Sequence, residues 1–197
     1  MIDIDLLLAS GAAFKKVARS EIIFSEESSC SFYYQLVSGQ VSWLNINDDG
    51  KPFIHTIIQP GESFGEIPLF DDGPYSATAM AIEDSIVIRL YKPVFLQLLK
   101  ENHCLSMKFS HLLATRLRHN FMMLKSFANG EPEKRIKVIL DHLKKEKRNL
   151  CVDCSQIKLT RQQIADMTGL RVETVIRSMR HMHEKGELHI TKGKVFC

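Results

Sequence analysis

The chain of 197 residues has no uninterrupted apolar run near the ~18 residues that a membrane-spanning helix requires. The apolar stretch Leu6 to Ala9 is too short for the core of an export signal, and acidic residues flank it. A chain that stays in the cytoplasm is the expectation. Cysteine is scarce and odd in number: Cys30, Cys104, Cys151, Cys154 and Cys197, five in all. That spacing gives no disulfide framework and fits a reducing compartment. Cys151 and Cys154 form a lone C-x-x-C, and no second pair of matching spacing exists, so a four-ligand structural zinc site is not expected. There is no internal repeat, no low-complexity tract, no Ser/His/Asp constellation and no phosphate loop.

What is present is ordinary globular composition, 45% hydrophobic and 25% charged. The length suits one large domain or two small ones. Net charge is only +3, but it is unevenly spread. Glu131 to Cys197 holds 15 basic and 9 acidic residues, a balance of +6, and residues 1–130 carry −3. A basic third beside an acidic remainder is what a nucleic-acid-binding module on a separate domain produces. A solvated basic face is the alternative.

Ile22 to Leu90 reads as β structure. Tyr34 to Leu44 alternates partially around Gly39, Asn47–Asp48–Asp49–Gly50 is a hairpin turn, and Phe53 to Ile58 follows as a strand. Gln59–Pro60–Gly61 turns again, and Ala77 to Leu90 gives further short strands bent at Glu83–Asp84. Many short strands at close spacing predict a sandwich or jelly-roll barrel. Such barrels also host metal-dependent catalysis, which needs several histidines and a glutamate on the strands. This segment holds only His55, so an enzyme is not expected.

From Lys92 the pattern is helical. Val94, Phe95, Leu98 and Leu99 form one stripe, and a longer helix runs from about Cys104 to Phe127. Leu113, Leu117, Asn120, Leu124 and Phe127 recur as a heptad seam. Leu105, Phe109 and Leu112 form a second face suited to packing on the barrel. Two apolar faces predict two partners, the barrel and a second copy of the chain, and an entirely intramolecular helix is the alternative. Asn129–Gly130–Glu131–Pro132 marks a hinge. Pro132 and Glu133 suit a helix start, and Ile136, Ile139, Leu140 and Leu143 give an amphipathic stripe.

The segment LTRQQIADMTGLRVETVIRSMRHMHEK, Leu159 to Lys185, reads as two helices around a glycine turn. Small Ala165 permits close approach, Gly169 takes the left-handed turn, and β-branched Val175 plugs one helix onto the other. Thr160 and Gln163 form a capping box. Glu173 and Arg177, four apart, share a helix face. Arg pairs bidentately with guanine, and a carboxylate accepts from the cytosine amino group. Leu188 to Phe196 alternates around Lys192–Gly193–Lys194, as a hairpin wing does. His181, His183 and His189 are expected on the surface or the wing. An ordinary charged helical hairpin remains the alternative on spacing alone.

The order is barrel, long helix, hinge, helix, helix-turn-helix, wing. It resembles the bacterial CRP/FNR family of transcription regulators, through TRQQIADMTGLRVETVIR and through GESFGEIPLFDDGPYSATAMA at Gly61 to Ala81. The resemblance implies an α+β chain in three parts. Residues 1–101 form a cyclic-nucleotide-binding-like jelly-roll effector domain, 102–128 a dimerisation helix, and 129–197 a winged helix-turn-helix. It implies a homodimer on a palindromic, TTGA-like duplex, with RNA polymerase as a further partner and no membrane. Phosphate contacts are expected from Thr160, Arg161, Gln162, Arg171 and Thr174, and base contacts from Val172, Glu173, Ile176 and Arg177. Val172 stands where the cyclic-AMP branch carries a base-reading Arg. Val172 and Glu173 look more like the FNR branch, and Ile176 replaces the Ser usual there.

In the ligand cassette Gly65, Glu66, Ser76 and Ala77 match the family. Tyr75 stands where the family's phosphate-binding Arg belongs. Losing that charge-assisted bond costs about 1.5–3 kcal/mol. Asn120 and Phe121 align with the polar pair that reaches the purine in the cyclic-AMP branch, and Phe is bulky there. The resemblance therefore predicts an effector other than cyclic AMP, of unknown identity, or none, with Glu66 in a structural role. A cyclic-nucleotide-responsive regulator with a variant phosphate site is the alternative. The four-cysteine iron–sulfur pattern of one branch is missing, since only Cys30 lies near the N-terminus.

Overall fold

The computed structural model describes residues 2–128, 130–151 and 154–196. Asn129, the first residue of the predicted hinge, and Cys197 lie outside the described residues. Contacts divide the chain into two units, 1–112 and 113–197, with the division inside the long helix. The first unit contains α1 (Ile4–Ala9), β1 (Ala13–Val17), β2 (Ile22–Phe24), β3 (Phe32–Ser38), β4 (Val41–Ile46), β5 (Pro52–Ile58), β6 (Ser63–Phe64), α2 (Ile67–Asp71), β7 (Thr78–Ala81), β8 (Ser85–Tyr91) and α3 (Lys92–Glu101). It also holds the start of α4 (His103–Ala128).

The strands form two four-stranded antiparallel sheets, ordered β1-β8-β3-β6 and β2-β7-β4-β5. Asn47 to Gly50 joins β4 to β5 as predicted, closed by the Asn47 amide donating to the Lys51 carbonyl. One core cluster includes Leu36, Val41, Ile58, Phe64, Val87 and Ala81. A second packs Tyr33, Ile88 and Leu90 against Leu7, Phe95, Leu99, Leu105 and Phe109. β3 and β8 feed both clusters, so they are buried on both faces and alternate only partially.

Three readings of this unit need correction. The β region begins at Ala13, not Ile22, because β1 pairs along β8 from Ala13 with Arg89 to Val17 with Ser85. It is also interrupted by α2, a helix of five residues with Pro68 in its first turn. Ahead of the strands α1 forms, capped by Asp3, whose carboxylate accepts from the amides of Asp5 and Leu6. In α3, Phe95 and Leu99 are buried, but Val94 is exposed rather than part of the packed stripe.

The second unit holds the rest of α4, then α5 (Pro132–Lys145), α6 (Arg161–Thr168), α7 (Val172–Glu184), β9 (His189–Thr191) and β10 (Lys194–Phe196). Ile136, Ile139, Leu140 and Leu143 of α5 are all buried, as their spacing predicts. Each such aliphatic side chain contributes roughly 1.5–3 kcal/mol on burial, so packing rather than helix propensity holds α5 to its neighbours. Gln156 bridges to Phe196, and the Ile157 amide donates to the Val195 carbonyl, tying the wing to the loop before α6. Among the described residues no helix is long and apolar enough to cross a membrane.

Candidate nucleic-acid interface and effector pocket

The geometry of α6 and α7 begins with their caps. Thr160 Oγ1 accepts from the Gln163 amide, and Gln163 Oε1 accepts from the Thr160 amide, which completes the predicted capping box. Gly169 ends α6 at φ 67°, where a side chain would be strained. Arg171 precedes α7 in an extended conformation, and its guanidinium, which has only donors, leaves the first-turn amides uncapped. Val175, Met179 and Met182 turn inward and are buried, with Ile164 and Ala165 of α6 buried beside them.

The opposite face of α7 is open. Glu173 and Arg177 are both exposed there, while Val172, Thr174 and Ile176 are half-buried. Glu173, Ile176, Arg177, Arg180, His181 and Glu184 line a concavity of about 730 Å³, together with Glu133 from the first turn of α5. Arg180, Glu133 and Glu184 were not foreseen. For Arg180 the signal was present, since it lies three residues after Arg177 and seven after Glu173 on a helix. His181 lies on this face, exposed rather than on the wing. Its Nδ1 is 2.5 Å from Glu133 Oε1, and Lys185 Nζ donates to Glu133 Oε2 at 3.0 Å. These two partners hold the Glu133 carboxyl below its ordinary range, His181 first.

Of the expected phosphate contacts, Thr160, Gln162 and Arg171 are exposed, and Arg161 is half-buried. Gln162 Nε2 donates to Asp166 Oδ1 at 2.8 Å, so a phosphate would compete with that bond. In the wing, β9 and β10 pair around Lys192 and Gly193, both at positive φ.

The cassette Gly61 to Ala81 folds differently from an open anion site. Tyr75 is 2% exposed and lies flat on Phe24, ring centroids 3.7 Å apart at 11°. Its amide donates to the Ser28 carbonyl and its carbonyl accepts from the Glu27 amide, so the backbone clamps the ring inward. Tyr34 and Phe64 complete the aromatic cluster, 5.5 and 5.9 Å from Phe24. Burial, then the neighbouring Cys30, raises the Tyr75 phenol far above its ordinary range, so it stays neutral.

Gly65 has φ 70°, and a Cβ there would meet the Phe24 ring at 2.6 Å and the Tyr75 ring at 3.0 Å. That glycine is therefore required by the aromatic pair itself. Glu66 is buried, accepts from Ser63 Oγ and makes no side-chain cap to α2. Ala77 is buried, and Ser76 is exposed with its carbonyl held by Asn45 Nδ2. Phe24 was missed because it lies 51 residues from Tyr75 and no local pattern joins them.

On α4 the residues of the expected seam are exposed or half-buried. Leu117, Phe121 and Leu124 are exposed, at 57, 63 and 63%, and Met107 and Met122 of the same helix are exposed too. Leu117 and Phe121, with Ala114, Arg118, Met122 and Lys125, border a shallow groove. Asn120 is exposed at the edge of that stripe, and Leu113 and Phe127 are half-buried. At about 100° per residue Phe121 lies roughly 40° from Leu117 and Asn120 lies roughly 40° from Leu124, so the two flank the stripe on opposite sides. Among the described residues no group of three or more His, Cys, Asp or Glu could hold a metal ion.

Residues 14–102 match the cyclic nucleotide-binding domain, and residues 134–196 match the Crp-like helix-turn-helix domain. The chain is 32% identical over 173 residues to the cAMP-activated global transcriptional regulator CRP of Pasteurella multocida, covering 87% of this chain and 82% of that protein. Among solved structures, FixK2 from Bradyrhizobium japonicum superposes with a TM-score of 0.75 at 24% identity, covering 94% of this chain and 91% of that one. A CooA mutant from Carboxydothermus hydrogenoformans superposes with a TM-score of 0.80 at 15% identity, covering 100% and 87%. The two domains, their order and these relatives agree: the chain belongs to the CRP/FNR family of transcription regulators.

Proposed function

We propose that this regulator acts as a homodimer on a palindromic, TTGA-like duplex and is controlled by something other than cyclic AMP, or by nothing. One observation carries the DNA reading: α7 buries Val175, Met179 and Met182 and leaves Glu173 and Arg177 open in a groove. Glu173 and Arg177 read bases, with Val172 and Ile176 beside them. Thr160, Arg161, Gln162, Arg171 and Thr174 hold phosphates and set the register. Residues 129–197 serve as the DNA-binding domain, 102–128 as the pairing helix and 1–101 as the effector domain. The protein works in the cytoplasm, where its duplex is, and meets RNA polymerase there.

The dimer reading is supported by the exposed Leu117, Phe121 and Leu124, since an apolar stripe of this kind is normally covered. Sedimentation should show a dimer that Leu117→Glu with Leu124→Glu turns into a monomer. Gel shifts should show binding to a TTGA palindrome in preference to a scrambled duplex. Equal binding to both would end the sequence-specific reading.

A second reading keeps cyclic-nucleotide control, because curated relatives at 30–32% identity are described as cAMP-activated. The Tyr75 ring opposes it. An anion needs a positive partner or several amide donors, and the expected position holds a neutral ring packed on Phe24. Calorimetry with cyclic AMP and cyclic GMP decides. No heat at micromolar ligand is expected, and micromolar binding of either one would restore the second reading.

A further inference from the structure

We propose that the His119–His142 pair is a proton-sensitive latch between α4 and α5, intact when both rings are neutral and opened by acid. The inference rests on reading α5–α7 as the DNA-binding unit. The two imidazoles come from different helices and stack with centroids 3.7 Å apart at 23°. Both side chains are half-buried, and His119 Nδ1 is buried without a hydrogen-bond partner. Two neutral rings stack favourably. An imidazolium in the same place would lie against its neighbour's ring in a half-buried site and lose part of its hydration.

The surrounding charges act in the same direction. Arg148, beyond the end of α5, bears on both rings, and Lys145 bears on His142. Glu146 is the opposing charge and bears on His119. Arg116 lies one turn before His119 on α4. A proton on either ring thus joins a cluster that is already mostly cationic. Separation of the helices would let both rings hydrate and accept protons. Nearby, the Arg135 guanidinium covers the Phe127 ring at 5.3 Å, and its Nη2 donates to the Phe127 carbonyl at 3.2 Å. That contact also joins α4 to α5.

Burial first, and then the neighbouring charges, push both imidazoles down, His142 from 6.5 to about 4. The sign follows from linkage. Separated rings bind more protons than stacked ones between those two values, so latch stability is complete above about pH 6.5 and declines as pH falls toward 4. At pH 5.5 the balance of closed over open shifts by about tenfold relative to pH 7.5.

Two measurements on the full chain test the latch. In free protein, NMR titration should place His142 well below 6.5. For DNA, affinity for a TTGA palindrome should fall between pH 7.5 and 5.5 by up to about tenfold more in the native protein than in His142→Phe, which keeps a flat ring and removes the titration. A His142 that titrates near its ordinary value, or identical pH profiles for the two proteins, overturns the latch. If His142→Phe does not fold, His119→Phe gives the same comparison. Failure of both proteins to bind any duplex at pH 7.5 would instead overturn the DNA reading, and the NMR titration would then judge the latch alone.

Discussion

In α6 and α7 the residues that the family pattern assigns to an interface are exposed or half-buried, while residues between them build the core. In the barrel the order is reversed: the position that should hold an anion turns inward and stacks on Phe24. Both regions show legible family motifs. What differs is where the side chains go, and the cause is local. The face of α7 is set by 3.6-residue periodicity, so inward Val175 places Glu173 and Arg177 outward. Tyr75 sits in a loop, and no periodicity dictates its direction. Its backbone bonds to Glu27 and Ser28, together with the space beside Gly65, turn it in.

That contrast can be broken experimentally. The largest effect is expected for Tyr75→Ala, which removes a buried ring from the Phe24, Tyr34 and Phe64 cluster. By analogy with other aromatic truncations it should cost about 3–5 kcal/mol in urea unfolding of the barrel while DNA base preference stays unchanged. A variant that melts like the native protein would mean that the ring is not a packed plug. Arg177→Ala should do the opposite, leaving stability intact and reducing discrimination against the wrong base by about 1–3 kcal/mol in competition gel shifts. Arg161→Ala is the control for it: binding should weaken on all duplexes alike, with a smaller salt slope. Unchanged sequence preference in Arg177→Ala would remove Arg177 from the base-reading set.

Smaller effects sharpen the comparison inside the DNA-binding unit. Thr160→Ala deletes one half of the capping box and should lower stability by about 1 kcal/mol in chemical denaturation. The contact of Glu133 with His181 and Lys185 is partly exposed and should be worth under about 1 kcal/mol. Because the carboxyl is held below its ordinary 4.5, that stability is present above about pH 4.5 and is lost as the pH falls through the lowered value. Melting curves of native protein and Glu133→Gln should therefore differ at about pH 6 and converge in acid once Glu133 is protonated. Divergence at low pH would point to a different partner for Glu133.

Much of this was readable in advance because it depends on local spacing. The α5 stripe, the Thr160–Gln163 box, the turn at Gly169, the Asn47–Gly50 hairpin and the Lys192–Gly193 wing each lie within a few residues of chain. Readings failed where the decisive partner was distant or the pattern was short. β1 contains few strand signals and exists through pairing with β8. α2 is five residues long, too short to show a helical period among strands.

By itself the sequence determined the family, the order of the parts and the face of α7 that meets solvent, because periodicity and capping act between neighbours along the chain. Tertiary structure alone decided that Tyr75 fills its site. It also joined Glu133 to the far end of α7 and set His119 against His142. Each of these pairs residues many positions apart, and only packing brings such residues within a few ångströms.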